Sequence, residues 1–193
     1  MPMATARRKG AENSETRTQL VQLALQILRE EGAAAVTAGR LAEQIGLRRH
    51  IVHYYFGTID ELFGAVIREE GERTEDWLKV AISTRDPLNL LWDLSRNSAT
   101  IILELTSMAM RCPGIAKEYK IYTERFRQVM AEILMIYAGS RGLTLPASAT
   151  ATALILQSMA CTIAIEISLG LTLGHEEAEG VLRRWLESSS PMR

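Results

Sequence analysis

The stretch IGLRRHIVHYYFGTIDELF, residues 45–63, predicts a turn, a short polar helix and the start of a longer helix. Gly46 allows a tight turn. Two arginines, two histidines and two tyrosines then surround an apolar spine in a short helix over residues 48–55. At Thr58 the pattern changes, because a threonine followed three residues later by a glutamate is a capping box that opens a helix. The polar cluster is a metal or proton-transfer site, a surface that binds another molecule, or ordinary helix exterior.

The residues before this stretch predict two more helices. In RTQLVQLALQILREEG, residues 17–32, apolar side chains recur at helical spacing and Gly32 ends the pattern. Thr37 is a good N-cap for a short helix through Ile45. Two short helices joined by a glycine turn, with a longer helix before them, form the helix-turn-helix pattern.

The rest of the chain also predicts helices, since no segment alternates with the two-residue period of a strand. The fold class is therefore expected to be all-α. The further predicted helices are Thr58 to about Val80, a run from Pro87 that Cys112-Pro113-Gly114 interrupts, Ile115 to about Gly139, Pro146–Gly170, and His175 to about Ser188.

The charge distribution separates the front of the chain from its body. The 193 residues carry a net charge of −1, but residues 1–56 hold eight Lys or Arg against five Glu, hence +3, and the remainder is −4. The net charge by itself argues against a nucleic-acid binder, because phosphate attraction needs positive charge, but a mildly basic front and an acidic body suggest two separate functions.

The two cysteines, Cys112 and Cys161, are far apart and lack CxxC spacing, so neither a disulfide framework nor a zinc site is predicted. Both are expected to be buried core residues in a reducing compartment. No apolar segment follows the basic residues near the N-terminus, and Glu104 and Glu166 interrupt the longest apolar runs. We therefore expect no signal peptide, no membrane span and a cytoplasmic protein.

The front segment resembles the N-terminal domain of the TetR family of bacterial transcriptional regulators over roughly the first third of the chain. The features that carry the resemblance are Gly32, Thr37, Leu41-Ala42, Gly46, Tyr54-Tyr55-Phe56 and Asp60-Glu61-Leu62. The resemblance implies a homodimer that places a recognition helix in the DNA major groove. It also implies a variable C-terminal domain that binds a small effector and forms the dimer. The expected organisation is a flexible basic arm (1–13), a three-helix DNA-binding domain with a helix-turn-helix (14–57), and a helical effector-binding and dimerisation domain (58–193).

Within this frame the polar cluster is expected to contact double-stranded DNA. Arg48 and Arg49 lie at the N-terminal end of the predicted recognition helix, where base edges are reached, and arginine can bond guanine bidentately. The full set of predicted DNA contacts is Thr37, Arg48, Arg49, His50, His53, Tyr54 and Thr58. No carboxylate or third histidine lies near His50 and His53 in sequence, so they are interpreted as DNA-facing and no metal site is predicted.

Three positions depart from the family pattern. Arg48 stands where a small hydroxyl residue is common, His53 where a tyrosine is common, and Ile59 where a lysine usually anchors a phosphate. We hypothesise that Arg48 compensates for that missing lysine. Residues 7–9 in the arm are expected either to touch the minor groove or to form a solvated tail.

The body offers candidates for an effector pocket and for a dimer interface. The candidate pocket residues are Trp92, Glu104, Met108, Tyr122, Phe126 and Met130, although Met and aromatic residues at helical spacing are equally typical of a core. Glu104 and Glu166 lie in apolar runs, so each is expected to find a partner, line a pocket or lie at an interface. The apolar segment Ala147–Leu169, with the last helix, is the predicted dimerisation surface; the alternative is a central helix buried within one subunit.

The predicted function is a ligand-responsive repressor that binds a palindromic operator as a homodimer and is released by a small lipophilic effector. The alternative is an architectural or protein-interaction helical module that binds DNA without an effector. No phosphate-binding glycine loop, GxSxG or HExxH motif is present, so neither an enzyme nor a cofactor is expected.

Overall fold

The structure, a computed structural model, describes residues 14–81 and 87–187. All regular secondary structure assigned within these ranges is helical, which confirms the all-α prediction. In chain order they are α1 Glu15–Glu31, α2 Ala38–Gln44, α3 Arg49–Tyr55, α4 Ile59–Ala81, α5 Pro87–Asn97, α6 Ala99–Ala109, α7 Pro113–Arg141, α8 Ala149–Ser168 and α9 His175–Glu187, with a 3₁₀ turn at Ala33–Ala35. The basic arm, residues 1–13, and Ser188 lie outside the described residues.

Helix α1 is the longest of the first three helices, and its buried residues form one continuous face. Its buried residues are Leu20, Val21, Ala24, Leu25, Ile27 and Leu28. It ends at Gly32, whose φ of 86° places it in the left-handed region. The sequence predicted both the helix and its end.

Helices α2 and α3 form the two short arms of a helix-turn-helix. The Thr37 side chain accepts a hydrogen bond from the Arg40 N–H at 3.3 Å, which caps α2. Gly46 then turns the chain with a φ of 67°, a value that a residue with a Cβ rarely adopts. Helix α3 begins directly after Arg48. These observations confirm the predicted cap and turn.

Helix α4 starts with a variant of the predicted capping box. The Thr58 hydroxyl accepts from the Glu61 N–H at 3.2 Å, as expected. The Glu61 carboxylate accepts from the N–H of Gly57 at 3.1 Å, one residue before the position that the box predicts. The box therefore satisfies one backbone donor inside the helix and one in the turn before it.

The described residues group into two compact units by their contacts. The first unit contains the residues up to Glu70 and the segment Glu104–Lys120. The second contains Gly71–Leu103 and the residues from Ile121 onward. The predicted boundary between the DNA-binding domain (14–57) and the effector-binding domain (58–193) does not coincide with this division by contacts, and it stays a prediction.

The first unit is held together by polar contacts as well as by its apolar core. Arg29 on α1 forms an ion pair with Glu70 on α4 at 2.5 Å, and the Glu70 side chain is only 7% exposed. Arg68 pairs with Glu118 at 2.9 Å. A carboxylate buried to this degree needs such a partner, because burial penalises an unpaired charge.

The second unit has its own apolar core, built from α5, α7, α8 and α9. The buried members are Leu91, Phe126, Val129, Met130, Ile133, Leu134, Ala153, Leu156, Leu182 and Leu186. The predicted helix that runs on from Pro87 is interrupted at Ser98, which separates α5 from α6. The Ser98 N–H bonds the Leu94 carbonyl at 3.0 Å and the Ile102 N–H bonds the Ser98 carbonyl at 2.9 Å, so the interruption is local.

The two cysteines differ in their surroundings. Cys161 is buried, and desolvation raises the pKa of its thiol to about 11. Cys112 is only half-buried, and its thiol donates to the Asp60 carboxylate at 3.1 Å. The prediction of a buried core cysteine is confirmed for Cys161 and wrong for Cys112, because the Cys112-Pro113 corner lies at the surface rather than inside the apolar run before it.

Helix α8 is long and apolar enough to cross a membrane by length and composition alone, with a mean hydropathy of 1.5. The core helix of a soluble protein meets the same criterion. Of the tested window, 39% is buried. The outward side of α8 therefore carries apolar side chains that the described part of its own chain leaves uncovered.

Candidate nucleic-acid interface

The exposed face of α3 brings together the polar cluster that the sequence predicts. Five side chains are exposed there: Arg48, Arg49, His50, His53 and Tyr54. No Asp or Glu occurs between Gln44 and Asp60. The face is therefore cationic and rich in donors, as binding to a polyanion requires.

The opposite side of α3 is fixed by packing. Val52 and Phe56 are each 2% exposed. The Tyr55 hydroxyl accepts a hydrogen bond from the Ser14 hydroxyl at 3.0 Å, and the Arg17 guanidinium lies 4.9 Å from the centre of the Phe56 ring. These contacts hold the orientation of α3, so its outward side chains are presented in one direction.

Four arginines of helices α1 to α3 and their caps differ in whether a carboxylate pairs with them. Arg29 and Arg40 each form an ion pair, with Glu70 and Glu31 respectively. Arg48 and Arg49 have no ion-pair partner in residues 14–81 and 87–187. Their charges are therefore available to an anionic ligand.

The two predicted threonine contacts both act as helix caps. Thr37 and Thr58 each use the side-chain oxygen as an acceptor for a backbone N–H. A hydroxyl that accepts such a bond still has its own hydrogen to donate. Both threonines are exposed, so capping and donation to a phosphate oxygen are compatible.

The start of α4 lacks a cation. Ile59 is half-buried, and the next two residues are the acids Asp60 and Glu61. A phosphate at this point would meet the Thr58 hydroxyl and the backbone N–H groups of the helix N-terminus, and a cation would have to come from another position, such as the exposed Arg48. The hypothesis that Arg48 compensates for the missing lysine stays a prediction.

The predicted effector residues are placed in different surroundings. Phe126 and Met130 are 5% and 0% exposed within the core of the second unit, with Tyr122 stacked on Phe126 at 6.2 Å between ring centres. Met108 is half-buried and belongs to the first unit. Trp92 lines a cavity of about 130 Å³ in the second unit.

This cavity has lining residues that sequence reasoning missed. Besides Trp92 it is lined by Leu88, Asn89, Tyr137, Leu156, Glu179, Leu182, Arg183 and Leu186. They come from α5, α7, α8 and α9. No local sequence pattern predicts that these residues meet. Helical spacing shows which residues lie on the same side of one helix, but not which other helix packs against that side.

The two glutamates in apolar runs both have partners. The Glu104 carboxylate accepts from the Ala33 N–H at 3.3 Å, and Glu166 lies 2.6 Å from the Nε2 atom of His175. Of the alternatives expected for these two glutamates, a hydrogen-bonding partner is the one observed for both. Among the described residues, no three His, Cys, Asp or Glu side chains are arranged to hold a metal ion.

The three-helix unit with an outward cationic α3, continued by a helical body, defines a helix-turn-helix DNA-binding protein. Residues 20–66 match the family model described as bacterial regulatory proteins, tetR family. The chain thus carries the N-terminal DNA-binding domain of the TetR family of transcriptional regulators. It is therefore a DNA-binding regulator from a non-enzymatic family, as the sequence predicted.

Solved structures share the fold of the whole chain. A protein of Saccharomonospora viridis, described as a transcriptional regulator and solved in complex with choline, has a TM-score of 0.74 and 19% identity over 91% of this chain and 97% of its own. A TetR transcription regulator from Haloarcula marismortui has a TM-score of 0.70 and 22% identity over 91% and 98% of the two chains. No curated protein matches the chain in sequence. Regulators of this family are generally intracellular.

Proposed function

We propose that this protein is a cytoplasmic, ligand-responsive repressor that binds a palindromic operator as a homodimer and is released by a small effector. The observation that carries the DNA-binding part is the exposed α3 face, which has two unpaired arginines and no carboxylate within the described residues. An exposed face of this kind has no role in the fold, since the buried side of α3 already packs through Val52 and Phe56.

The proposed division of labour follows from the chemistry of each side chain. Arg48 and Arg49 read guanine edges or hold phosphates; His50, His53 and Tyr54 donate to bases or phosphates from the same face. The Thr37 and Thr58 hydroxyls, which already cap α2 and α4, donate to phosphate oxygens on either side. Phosphate contacts set the register of the helix, and base contacts supply the sequence preference.

A homodimer is supported by the apolar outward side of α8 and α9. Leu154 and Ile155 are each 43% exposed and Val181 is 53% exposed. A groove of about 560 Å³ between these helices is lined by Ile155, Met159, Gly174, Glu177, Ala178, Val181, Leu182 and Trp185. A second copy that covers this surface would bury apolar side chains and hold two recognition helices about one DNA turn apart, or a multiple of it.

An effector site is supported by the cavity that Trp92 lines. Its volume of about 130 Å³ is below the roughly 300 Å³ of a small drug pocket, so it suits a compact ligand in its present shape. Leu156, Leu182 and Leu186 favour the predicted lipophilic effector. A quaternary ammonium compound is a second candidate, since Trp92 and Tyr137 offer aromatic faces and Glu179 a carboxylate. The choline bound to the Saccharomonospora viridis regulator gives the test compound.

The test of this proposal starts with selection of bound sequences from a random DNA pool. We expect an enriched palindrome, bound by two copies of the chain. Failure to enrich any palindrome would contradict the operator and dimer proposals together. Adding lipophilic compounds and choline to the purified complex then tests release; if none releases DNA at saturating concentrations, the architectural alternative without an effector is favoured.

The compensation by Arg48 has its own test. Arg48→Ala is expected to weaken operator binding and to reduce the slope of log K against log salt by about 0.9, the value for one phosphate contact. Unchanged affinity and slope would show that Arg48 does not replace the missing lysine.

A further inference from the structure

Arg40 on α2 forms a two-bond ion pair with Glu31 at the end of α1. Its Nη1 atom lies 2.7 Å from one carboxylate oxygen, and its Nη2 atom contacts the other. The side chain of Arg40 is 34% exposed and that of Glu31 43%. The hydrogen bond from Arg40 holds the pKa of Glu31 below its usual range, so the carboxylate is charged at neutral pH.

The exposure of this pair distinguishes it from the other ion pair of α1. The Arg29–Glu70 pair contains a carboxylate that is 7% exposed, so removing its partner would leave a buried charge. Glu31 would be hydrated if Arg40 left it, and an exposed ion pair contributes little to the stability of the fold. The Arg40–Glu31 pair can therefore exchange partners easily, whereas the Arg29–Glu70 pair cannot.

The position of Arg40 brings it near the expected path of the DNA. In a helix-turn-helix the helix before the recognition helix crosses the phosphate backbone, and here that helix is α2. The residue next to Arg40 is Gly39, which is exposed and has no other atom within 4 Å of where a Cβ would lie. A glycine inside a helix lowers its stability relative to alanine, and nothing in the fold requires one here. Glycine does allow another molecule to approach the backbone closely.

We propose that Arg40 is a further phosphate contact whose charge Glu31 masks in the free protein, so that a DNA phosphate displaces the Glu31 carboxylate on binding. The guanidinium exchanges one bidentate anion for another of similar geometry. Glu31 thereby lowers the affinity of the protein for DNA in general, because its released carboxylate faces the phosphate that replaced it. This inference rests on the DNA-binding mode proposed above.

The salt dependence of DNA binding tests this exchange. In the wild type, Arg40 binds a phosphate and the DNA releases a counterion. The Glu31 carboxylate that Arg40 has left then attracts a cation from solution, which offsets that release. In Glu31→Gln the offset is lost, so the salt slope is expected to steepen by a fraction of the roughly 0.9 that one phosphate contact contributes, and the affinity at physiological salt to rise about two- to fivefold. Both effects are expected to disappear when Arg40→Gln is added.

Glu30→Gln is the matched control, because it removes the same charge from the neighbouring residue of α1. Glu30 is exposed and its carboxylate accepts from Gln26 rather than from an arginine. We expect its salt slope to stay close to that of the wild type. If Glu31→Gln and Glu30→Gln give equal slopes, or if the steepening persists without Arg40, the exchange is overturned.

A failure of this inference is distinguishable from a failure of the proposed function. A wild-type protein that binds no DNA contradicts the proposed function. A wild-type protein that binds its operator with a slope that Glu31→Gln leaves unchanged contradicts only the exchange. Gly39→Ala adds an independent measurement: thermal stability is expected to stay equal or rise, while DNA affinity falls, and equal affinity would remove the support that Gly39 gives.

Discussion

The outward faces of α3 and α8 are both left uncovered by the described part of the chain, but they differ in chemistry. The α3 face carries Arg48, Arg49 and polar aromatic side chains, whereas α8 exposes Leu154 and Ile155. A cationic face suits a polyanion, and an apolar face suits another apolar protein surface. The comparison shows that one chain can expose two surfaces whose different chemistries suit different partners.

Ile155→Lys is expected to have the largest effect, because it would place a charge within the apolar surface of the proposed dimer interface. The dimer is expected to weaken by about 3 kcal/mol or more, roughly a 100-fold change in its dissociation constant. Sedimentation or light scattering across a concentration series measures this. Ile121→Lys, at an isoleucine that is 57% exposed on α7, is the control and should leave the mass unchanged. Equal behaviour of the two variants would contradict an interface on α8.

Arg49→Ala tests the other face. Loss of a bidentate base contact is expected to cost about 1–3 kcal/mol, or a 10- to 100-fold loss of operator affinity, and to relax the sequence preference at one position. Fluorescence anisotropy with operator and unrelated DNA measures both effects. Arg111→Ala removes the same charge from an exposed residue outside α3 and is expected to have little effect. A similar loss in both variants would mean that net charge, not the α3 face, determines binding.

Thr58→Ala is expected to have a smaller and mixed effect. Loss of the cap on α4 should lower the free energy of unfolding by about 1 kcal/mol. Loss of the donated hydrogen bond should weaken DNA binding by about 0.5–1.5 kcal/mol. Thermal melting and anisotropy separate the two. Thr58→Ser keeps the hydroxyl and should restore both, so a serine variant as defective as the alanine one would rule out a role for the hydroxyl.

The smallest expected effect concerns the two cysteines, because thiol labelling tests the packing of the fold and not its function. Burial raises the pKa of Cys161 to about 11, so at pH 8 only about one thiol in a thousand is ionised, and the thiolate is the reactive form. A thiol reagent should therefore label Cys112 in the native protein and Cys161 only after denaturant is added. Rapid native labelling of Cys161 would show that the inner side of α8 is not packed as described.

The elements that sequence predicts well have local causes. Gly46 requires a positive φ, and Thr37 and Thr58 cap the helices that follow them, so each signal acts within four residues. The exposure of the polar α3 face is also predictable from local spacing, because Val52 and Phe56 occupy the buried side of the same helix and its cap.

The features that sequence reasoning missed depend on distant partners. Glu104 bonds Ala33, which lies 71 residues away, and no pattern around either residue indicates the other. The same holds for the cavity at Trp92, because Phe126 and Met130 have the right residue types but face the core. Helical spacing predicts the side of a helix that is covered, not the element that covers it.

The contact between Glu104 and Ala33 has a consequence for protein synthesis. The first unit includes Glu104–Lys120, so its chain is not continuous. The family model ends at residue 66, but a ribosome that has released only this length has not yet supplied the carboxylate that satisfies the Ala33 N–H. Although N-terminal domains usually fold first during synthesis, this one can complete its contacts only after α6 and the start of α7 have emerged. A short fragment with the full sequence motif would therefore be less stable than the same residues within the whole chain.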